Sequence, residues 1–339
     1  MKRLFLILFM PNLVQAKDVV NIAFAIDNNY VIPTMVAVDS IFKSSSSTTK
    51  YNFYVLESGL TKHSKELMSK QIEKGNHNVS FISIDDNVIS DWEGLNVIAP
   101  IIIARILIPD LLSKEVEKVI YMDTDIFVTA DLAKLYNIDL ESMSTGMVKD
   151  FSEAHLSKLY APFGFKFTHG YYNAGIMLMD LKKWRNMNLS RRIFETMYAN
   201  PQMYKEVPLA DQNVISEVVG PTILPLDLRW NNQCYLSRCK FISDNDGAIY
   251  HYTIDKPWNR LINFELSEAE TRYLQHWKNS PYKYYIYYYL LKFFEKVYKS
   301  KISMDNIKEK YLRYIEVFKK SKTYVQYPLW EFDYIINGK

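Results

Sequence analysis

Apolar positions fall along the chain in two alternating rhythms. Val19 to Ile26 is a nearly unbroken β-branched and aromatic run ending in the polar Asp27-Asn28-Asn29-Tyr30, the pattern of a buried strand and the loop after it. Pro33 then opens a helix that reaches Phe42 and closes in the Ser44 to Thr49 loop. Tyr51 to Leu56 repeats the strand pattern, Thr61 to Lys74 reads as a helix behind a capping threonine, and Val79 to Ile84 is a third strand. Strands and helices in alternation predict a parallel sheet. Such sheets bind ligands outside the carboxyl ends of their strands, where Asp27 to Tyr30 falls.

Ile101 to Leu112 is an apolar helical segment with a single cation, Arg105. A buried arginine needs an acidic partner or a phosphate, so a structural ion pair and a ligand-side role are both open. Val119 to Val128 reads as one strand buried on both faces, interrupted by Asp123 and Asp125. Thr145 to Lys149 is a further strand. Asp150 to Tyr172, with His155, His169 and many aromatics, reads as a flexible segment able to cover a substrate. Tyr172 to Arg185 reads as a strand passing into an amphipathic helix, with Ala174-Gly175 at its mouth as either a close approach for a ligand or a bulge. Asp211 is the natural N-cap of the helix containing Val214 and Ile215, and Ala248 to Tyr252 is another short strand. From Leu266 the chain turns helical and aromatic.

At 339 residues and 48% hydrophobic content, the chain suits one large α/β domain with an appendage. It has ten glycines and neither G-x-G-x-x-G nor G-x-x-x-x-G-K, which argues against a dinucleotide fold or a P-loop. The formal charge of +3 is unevenly placed: Lys278 to Lys322 holds twelve Lys/Arg against four Asp/Glu. That stretch suits an acidic surface, and with the aromatic Tyr284 to Phe294 inside it the interfacial zone of a membrane is the natural partner. No nucleic-acid module accompanies the charge. Cys234 and Cys239 make neither a disulfide scaffold nor a zinc site. Met1-Lys2-Arg3, the apolar Leu4 to Met10 and Val14-Gln15-Ala16 resemble a signal peptide, with a non-native leader upstream of Met10 or a short membrane-associating extension as the other readings. No other stretch is apolar enough to span a bilayer.

The chemistry centres on Asp123 and Asp125, which share one face of an extended segment. Carboxylates withdrawn from water must be paired or bound to a cation, which favours a hard divalent ion. Two turn acids bonded to backbone remain the alternative, and a lone His251 is as easily a satisfied structural residue as a ligand.

Taken in series, Phe24 to Tyr30, Ala104-Arg105, Tyr121 to Asp125, Asn173-Ala174-Gly175, Leu181 to Trp184, Asp211-Gln212, His251-Tyr252 and Lys256-Pro257-Trp258 resemble the family 8 glycosyltransferases. Within that family the likeness is to bacterial lipopolysaccharide α-galactosyl- and α-glucosyltransferases. The resemblance implies a GT-A fold, a Rossmann-like, mostly parallel mixed sheet flanked by helices, with a small helical C-terminal extension. It divides the chain into an N-terminal extension or signal peptide (1–17), a catalytic domain (18–262) and a helical, aromatic and basic extension (263–339). It implies retaining transfer of galactose or glucose from a UDP-sugar to a lipopolysaccharide or lipooligosaccharide acceptor, with Mn²⁺ or Mg²⁺ held by Asp123, Asp125 and His251. Lys256 would face the diphosphate; Ala25, Asp27, Asn29 and Tyr30 the uridine; Arg105, Asp123, Thr124, Asn173, Asp211 and Gln212 the rest of the donor; and Asp150 the acceptor. Since Gln212 stands where a carboxylate nucleophile is expected and an amide oxygen is a poor nucleophile, front-face attack is the expected route, with Asp211 and Gln212 stabilising the oxocarbenium-like centre. A cytoplasmic enzyme on the inner face of the membrane follows from where UDP-sugars are made, with export as the alternative. Two departures stand out: Ile101-Ile102-Ile103 replaces a small hydroxyl-bearing residue before the Arg, and Ile254-Asp255 replaces a glycine before Lys256. A degenerate carbohydrate-binding scaffold and a protein-modifying glycosyltransferase are the competing readings.

Overall fold

The computed structural model describes residues 19–84, 100–199, 210–234, 241–242, 246–253, 256–259, 266–283 and 285. The signal-like N-terminus, Cys239, Ile254-Asp255 and nearly all of the basic aromatic tail lie outside the described residues. The elements run β1 (Val19–Asp27), α1 (Val31–Ser44), β2 (Lys50–Ser58), α2 (Lys62–Lys74), β3 (Asn78–Ser83), α3 (Pro100–Leu111), β4 (Lys118–Met122), β5 (Ile126–Val128), α4 (Leu132–Tyr136), β6 (Thr145–Met147), α5 (Glu153–Tyr160), β7 (Ile176–Asp180), α6 (Leu181–Asn186), α7 (Leu189–Ala199), α8 (Ala210–Val219), β8 (Ile223–Pro225), β9 (Asn232–Gln233), β10 (Ile249–His251) and α9 (Glu268–Lys278).

Seven strands form one mixed sheet in the order β3-β2-β1-β4-β7-β6-β8. β3, β2, β1 and β4 are parallel, β7 runs antiparallel to β4 and β6, and β8 is parallel to β6. The chain moves outward from β1 to β3 and returns to β4 on the other side of β1, so β1 and β4 flank a switch point. The crevice beyond their carboxyl ends is the place such a sheet offers a ligand. Asp27 ends β1, and Asp123 follows β4 directly.

β4 is buried on both faces because its side chains alternate between two cores. Val119 and Tyr121 pack with α3, α7 and α8, while Ile120 and Met122 pack with α1 and the second sheet. Fully burying a side chain of this kind contributes roughly 1.5–3 kcal/mol.

The apolar run Val119 to Val128 is two strands rather than one. β5 leaves the large sheet and joins a three-stranded sheet of order β5-β10-β9, antiparallel to β10. The change takes place within Asp123-Thr124-Asp125. The Asp123 amide donates to Gly175 O at 2.7 Å, prolonging the β4–β7 pairing, whereas Asp125 O accepts from Tyr252 N at 2.9 Å, prolonging the β5–β10 pairing.

Two other expectations are corrected. The segment expected to be a flexible loop from Asp150 to Tyr172 contains α5, and Phe165, Phe167 and Tyr171 are buried in the core; Leu156, Leu159 and Tyr160 have helical spacing. Asp211 is not an N-cap, because α8 begins at Ala210 and puts Asp211 in its first turn.

α9 begins with a capping box, Ser267 Oγ accepting from Glu270 N at 3.2 Å while Glu270 Oε2 accepts from Ser267 N at 2.8 Å. Its Tyr273 and Trp277 are fully buried and pack against each other and Trp258. His276 pairs with Asp39 of α1 at 3.2 Å. Burial works against ionisation of Asp39, but hydrogen bonds from His276 and Lys43 outweigh it and hold its carboxyl below the usual range. α9 is thereby part of the core that supports the second sheet. Cys234 is disulfide-bonded. Among the described residues, no helix is long and apolar enough to cross a membrane.

Candidate metal centre

The two sheets meet at their acids. Asp123 follows β4 of the large sheet, Asp125 precedes β5 of the small one, and His251 ends β10, the neighbour of β5. His251 Nε2 lies 3.5 Å from Asp123 Oδ2 and 3.4 Å from Asp125 Oδ1. One ligand atom from each of the three residues lies within 4.8 Å of the others. Thr124 between the acids is buried.

The surroundings hold both acids in their charged form. Burial opposes ionisation of Asp123, but Arg105 and His251 overcome it and keep its pKa below normal. Tyr121, two residues earlier on the same face, donates its hydroxyl to Asp123 Oδ1 at 2.6 Å. At Asp125 burial is likewise outweighed, by Lys256 and His251, and the pKa is lowered strongly. Lys256 Nζ pairs with Asp125 Oδ2 and donates to Tyr252 O at 2.7 Å. Burial pushes the His251 imidazole toward neutrality, but Asp125 and Asp123 reverse this and raise its pKa to about 9.

Gly175 makes the room. A Cβ there would stand 2.1 Å from His251 Cε1 and 2.9 Å from Asp123 Oδ2. The small residue expected to admit a ligand or form a bulge therefore accommodates the imidazole of the protein itself. Two carboxylates and an imidazole, converging beside Gly175 and its missing side chain, are a donor set that fits a divalent ion such as Mn²⁺.

Arg105 lies beside this cluster. Its Nη2 is 3.5 Å from Asp123 Oδ1, its Nε 3.3 Å from Asp211 Oδ2, and Nη1 donates to Ala174 O at 2.8 Å, with its guanidinium 5.0 Å from the centre of the Tyr121 ring. Burial raises the Asp211 pKa despite Arg105. The structural alternative left open for Arg105 and its ligand-side role are compatible: it pairs with two acids that both border the crevice.

A chain of amides continues from there. Gln212 Oε1 accepts from Ala174 N at 3.1 Å, and its Nε2 donates to Asp150 Oδ2 at 3.1 Å. Asn173 Nδ2 reaches the same Asp150 oxygen at 3.1 Å, and Asn173 Oδ1 accepts from Gly175 N at 3.1 Å. Asp150 Oδ1 accepts from Ser152 N at 2.9 Å. Asn231 bridges Asn173 and His251. Asn231 and Tyr121 escaped sequence reasoning. Tyr121 shares strand parity with Asp123, a usable signal, whereas Asn231-Asn232-Gln233 is a polar run with no spacing to single out one member.

At the β1 end, Asp27 caps a 3-10 turn, accepting from Asn29 N at 2.8 Å and from Asn29 Nδ2 at 3.1 Å. Tyr30 ends that turn 38% exposed, on the lip of the crevice. Its pKa is raised by burial, with Lys256, Asp125, Asp27 and Asp123 all acting on it, so β1 and the metal centre address the same space. Ala25 is half-buried on the last turn of the β1 pleat.

Comparison with known proteins gives a consistent outcome. The profile of Glycosyl transferase family 8 matches residues 21–261. Glycosyltransferase GlyF of Streptococcus pneumoniae is 28% identical over 73% of this chain and 59% of its own length, so the matched stretch spans less than two thirds of that relative. A lipopolysaccharide 1,2-glucosyltransferase of Escherichia coli is 23% identical over 80% of this chain and 84% of its own. The galactosyltransferase LgtC, solved with donor and acceptor sugar analogues, superposes with a TM-score of 0.64 at 22% identity, over 77% of this chain and 96% of its own. That likeness shows the fold, the GT-A arrangement.

Proposed function

The chain belongs to glycosyl transferase family 8, and on that premise we propose that it transfers galactose or glucose from a UDP-sugar to a lipopolysaccharide or lipooligosaccharide saccharide, with retention at the anomeric carbon. The observation that carries the reading is the convergence of Asp123, Asp125 and His251, with Lys256 against Asp125 and Arg105 against Asp123.

Mn²⁺ or Mg²⁺ held by Asp123, Asp125 and His251 would supply charge neutralisation for the departing diphosphate. The chain does the rest. Asp27, Asn29, Tyr30 and Ala25 border the crevice at the end of β1 and suit the uridine, Tyr30 by stacking. Lys256, released from Asp125, is a second cation for the phosphates. Thr124, buried between the two acids, falls with them on the donor side. Arg105, Asp211 and Asn173 suit the donor sugar. Gln212 has its oxygen engaged by Ala174 N and its nitrogen by Asp150, which disfavours its use as a covalent nucleophile. Front-face attack follows: the acceptor oxygen bonds to the anomeric carbon on the side from which UDP leaves, the bond to the diphosphate oxygen breaks, and the acceptor proton passes to that diphosphate. Asp150 anchors Gln212 and Asn173 and suits the acceptor side. The catalytic unit would be 18–262, with 263–339 an extension whose α9 packs into the same core.

The experiment is a donor screen. Purified protein with Mn²⁺ is expected to release UDP from UDP-galactose or UDP-glucose, accelerated by a lipopolysaccharide core acceptor. Calorimetry that found saccharide binding without metal-dependent UDP binding would favour the scaffold reading instead, and transfer only to protein the protein-modifying one. Peripheral attachment to the inner membrane through the basic tail is part of the proposal. Fractionation of cells decides between that attachment and the exported alternative.

A pH dependence follows from His251. With its folded pKa raised to about 9, the metal-free imidazole is protonated at pH 7.5, and an ion must displace that proton. Mn²⁺ binding should release about one proton at pH 7.5 and progressively less above pH 9, with apparent affinity rising about tenfold per pH unit below that point. Titration calorimetry in two buffers of different ionisation enthalpy measures the release, and His251→Gln should remove it.

A further inference from the structure

We propose that Asn231 is a positioning residue of the metal centre, holding a proton on His251 Nδ1 so that Nε2, on the side of Asp123 and Asp125, is the nitrogen that gives up its proton to bind an ion. The inference rests on the metal-dependent reading above and adds to it a residue that no motif singles out.

One backbone amide sets the orientation of the whole chain of amides, because its direction is not open to choice. Gly175 N–H can only donate, so the Asn173 atom 3.1 Å away must be its carbonyl oxygen. The other end of Asn173 agrees, its amide nitrogen donating to the Asp150 carboxylate at 3.1 Å. Because Asn173 presents an oxygen, the Asn231 atom 2.9 Å from it must be the NH2 group. Asn231 therefore turns its own oxygen toward His251, 3.0 Å from Nδ1. An oxygen there accepts, which calls for the proton on Nδ1. One amide orientation along the chain thus determines the next, from Gly175 to the imidazole.

The setting makes this a rigid device. Asn231 is fully buried at the end of the 3-10 turn Leu228–Asn231, held by Asp227 Oδ1 accepting from Arg229 N at 2.9 Å. The next residues form β9, which pairs in parallel with Tyr250 and His251 of β10, so amide and imidazole come from neighbouring strands of the small sheet. Gly175 supplies both the N–H that starts the chain and the space the ring occupies. Outer partners of this type orient the ligand and raise its basicity, and their loss typically weakens metal binding by about 10- to 100-fold.

The test is the Mn²⁺ affinity of substrate-free protein, read from the electron paramagnetic resonance of free Mn²⁺. Asn231→Leu, close in size but with no acceptor, is expected to bind Mn²⁺ about 10- to 100-fold more weakly. Ser144→Ala is the control: Ser144 is fully buried and bonded to Thr222 at 2.7 Å, away from the site, so it loses a buried hydrogen bond yet should bind Mn²⁺ as the parent does. A folded Asn231→Leu protein with affinity within twofold of the parent overturns the proposal. If that variant does not fold, nitrogen-15 NMR of the parent loaded with diamagnetic Zn²⁺ still decides: a His251 protonated at Nδ1 and ligating through Nε2 supports it, and the opposite assignment overturns it. A parent protein that binds no divalent ion would instead remove the metal reading itself.

Discussion

Asp125→Asn is expected to lower Mn²⁺-dependent UDP release by about 10³-fold or more, with the fold retained. The size follows from what the carboxylate holds. Charge stabilisation by a bound cation amounts to several kcal/mol, and each 1.36 kcal/mol is about tenfold in rate. The substitution removes the charge that faces both His251 Nε2 at 3.4 Å and the Lys256 ammonium, so a candidate metal ligand and the resting partner of Lys256 are lost together. The Asp125 side chain is 11% exposed and that of Lys256 16%, close to the crevice, which keeps the stability cost below the roughly 3–5 kcal/mol of breaking a wholly buried pair. Turnover measured at saturating Mn²⁺, with circular dichroism as the control for folding, checks it; activity within tenfold of the parent would remove Asp125 from the site.

Gly175→Ala should be nearly as damaging, although it adds one methyl group and no charge. The new Cβ would meet His251 Cε1 at 2.1 Å and Nδ1 at 2.8 Å, distances that force a displacement. The ring has nowhere to go, being only 3% exposed and tied to Asn231. The backbone is no freer, because Gly175 O holds the Asp123 amide at 2.7 Å. Relief by either route moves a ligand, so Mn²⁺ affinity should fall by about 100-fold, the upper end of disturbing what orients a ligand, with roughly 1–3 kcal/mol lost to overpacking. A Mn²⁺ titration and a thermal melt read the two effects separately, and unchanged Mn²⁺ affinity would refute the argument.

What the chain revealed in advance divides along a physical line. Elements whose signal is local were legible: β1, α2 behind its Thr61 cap, β3 and the β7–α6 passage coincide with their patterns. So did the acids, since a carboxylate in an apolar run is conspicuous wherever it occurs. The split of Val119 to Val128 was hidden because apolar periodicity reports burial, not which sheet supplies the hydrogen bonds. The reason for Gly175 was hidden because its neighbour His251 is remote in the sequence. α5 was obscured by its aromatic surroundings, though Leu156, Leu159 and Tyr160 carry its spacing. Asp211 was drawn two positions too far out, at the N-cap rather than as the second residue of α8, because the ion pair that holds it there comes from Arg105 on another helix.

The placement of the candidate ligands on two sheets has a consequence for the order in which the cluster can assemble. Lys256 meets Asp125 across 131 positions of sequence, and His251 arrives on a strand that pairs with β5 only after β6, β7 and β8 have been made. A chain emerging from the ribosome can build β1 to β4 and expose the first two acids while the imidazole and the lysine are still missing. The entropy of closing so long a loop grows only with the logarithm of its length, so the delay is one of order rather than of cost. During that interval such a chain would hold two of the three candidate ligands, and the cluster is complete only once β10 pairs with β5.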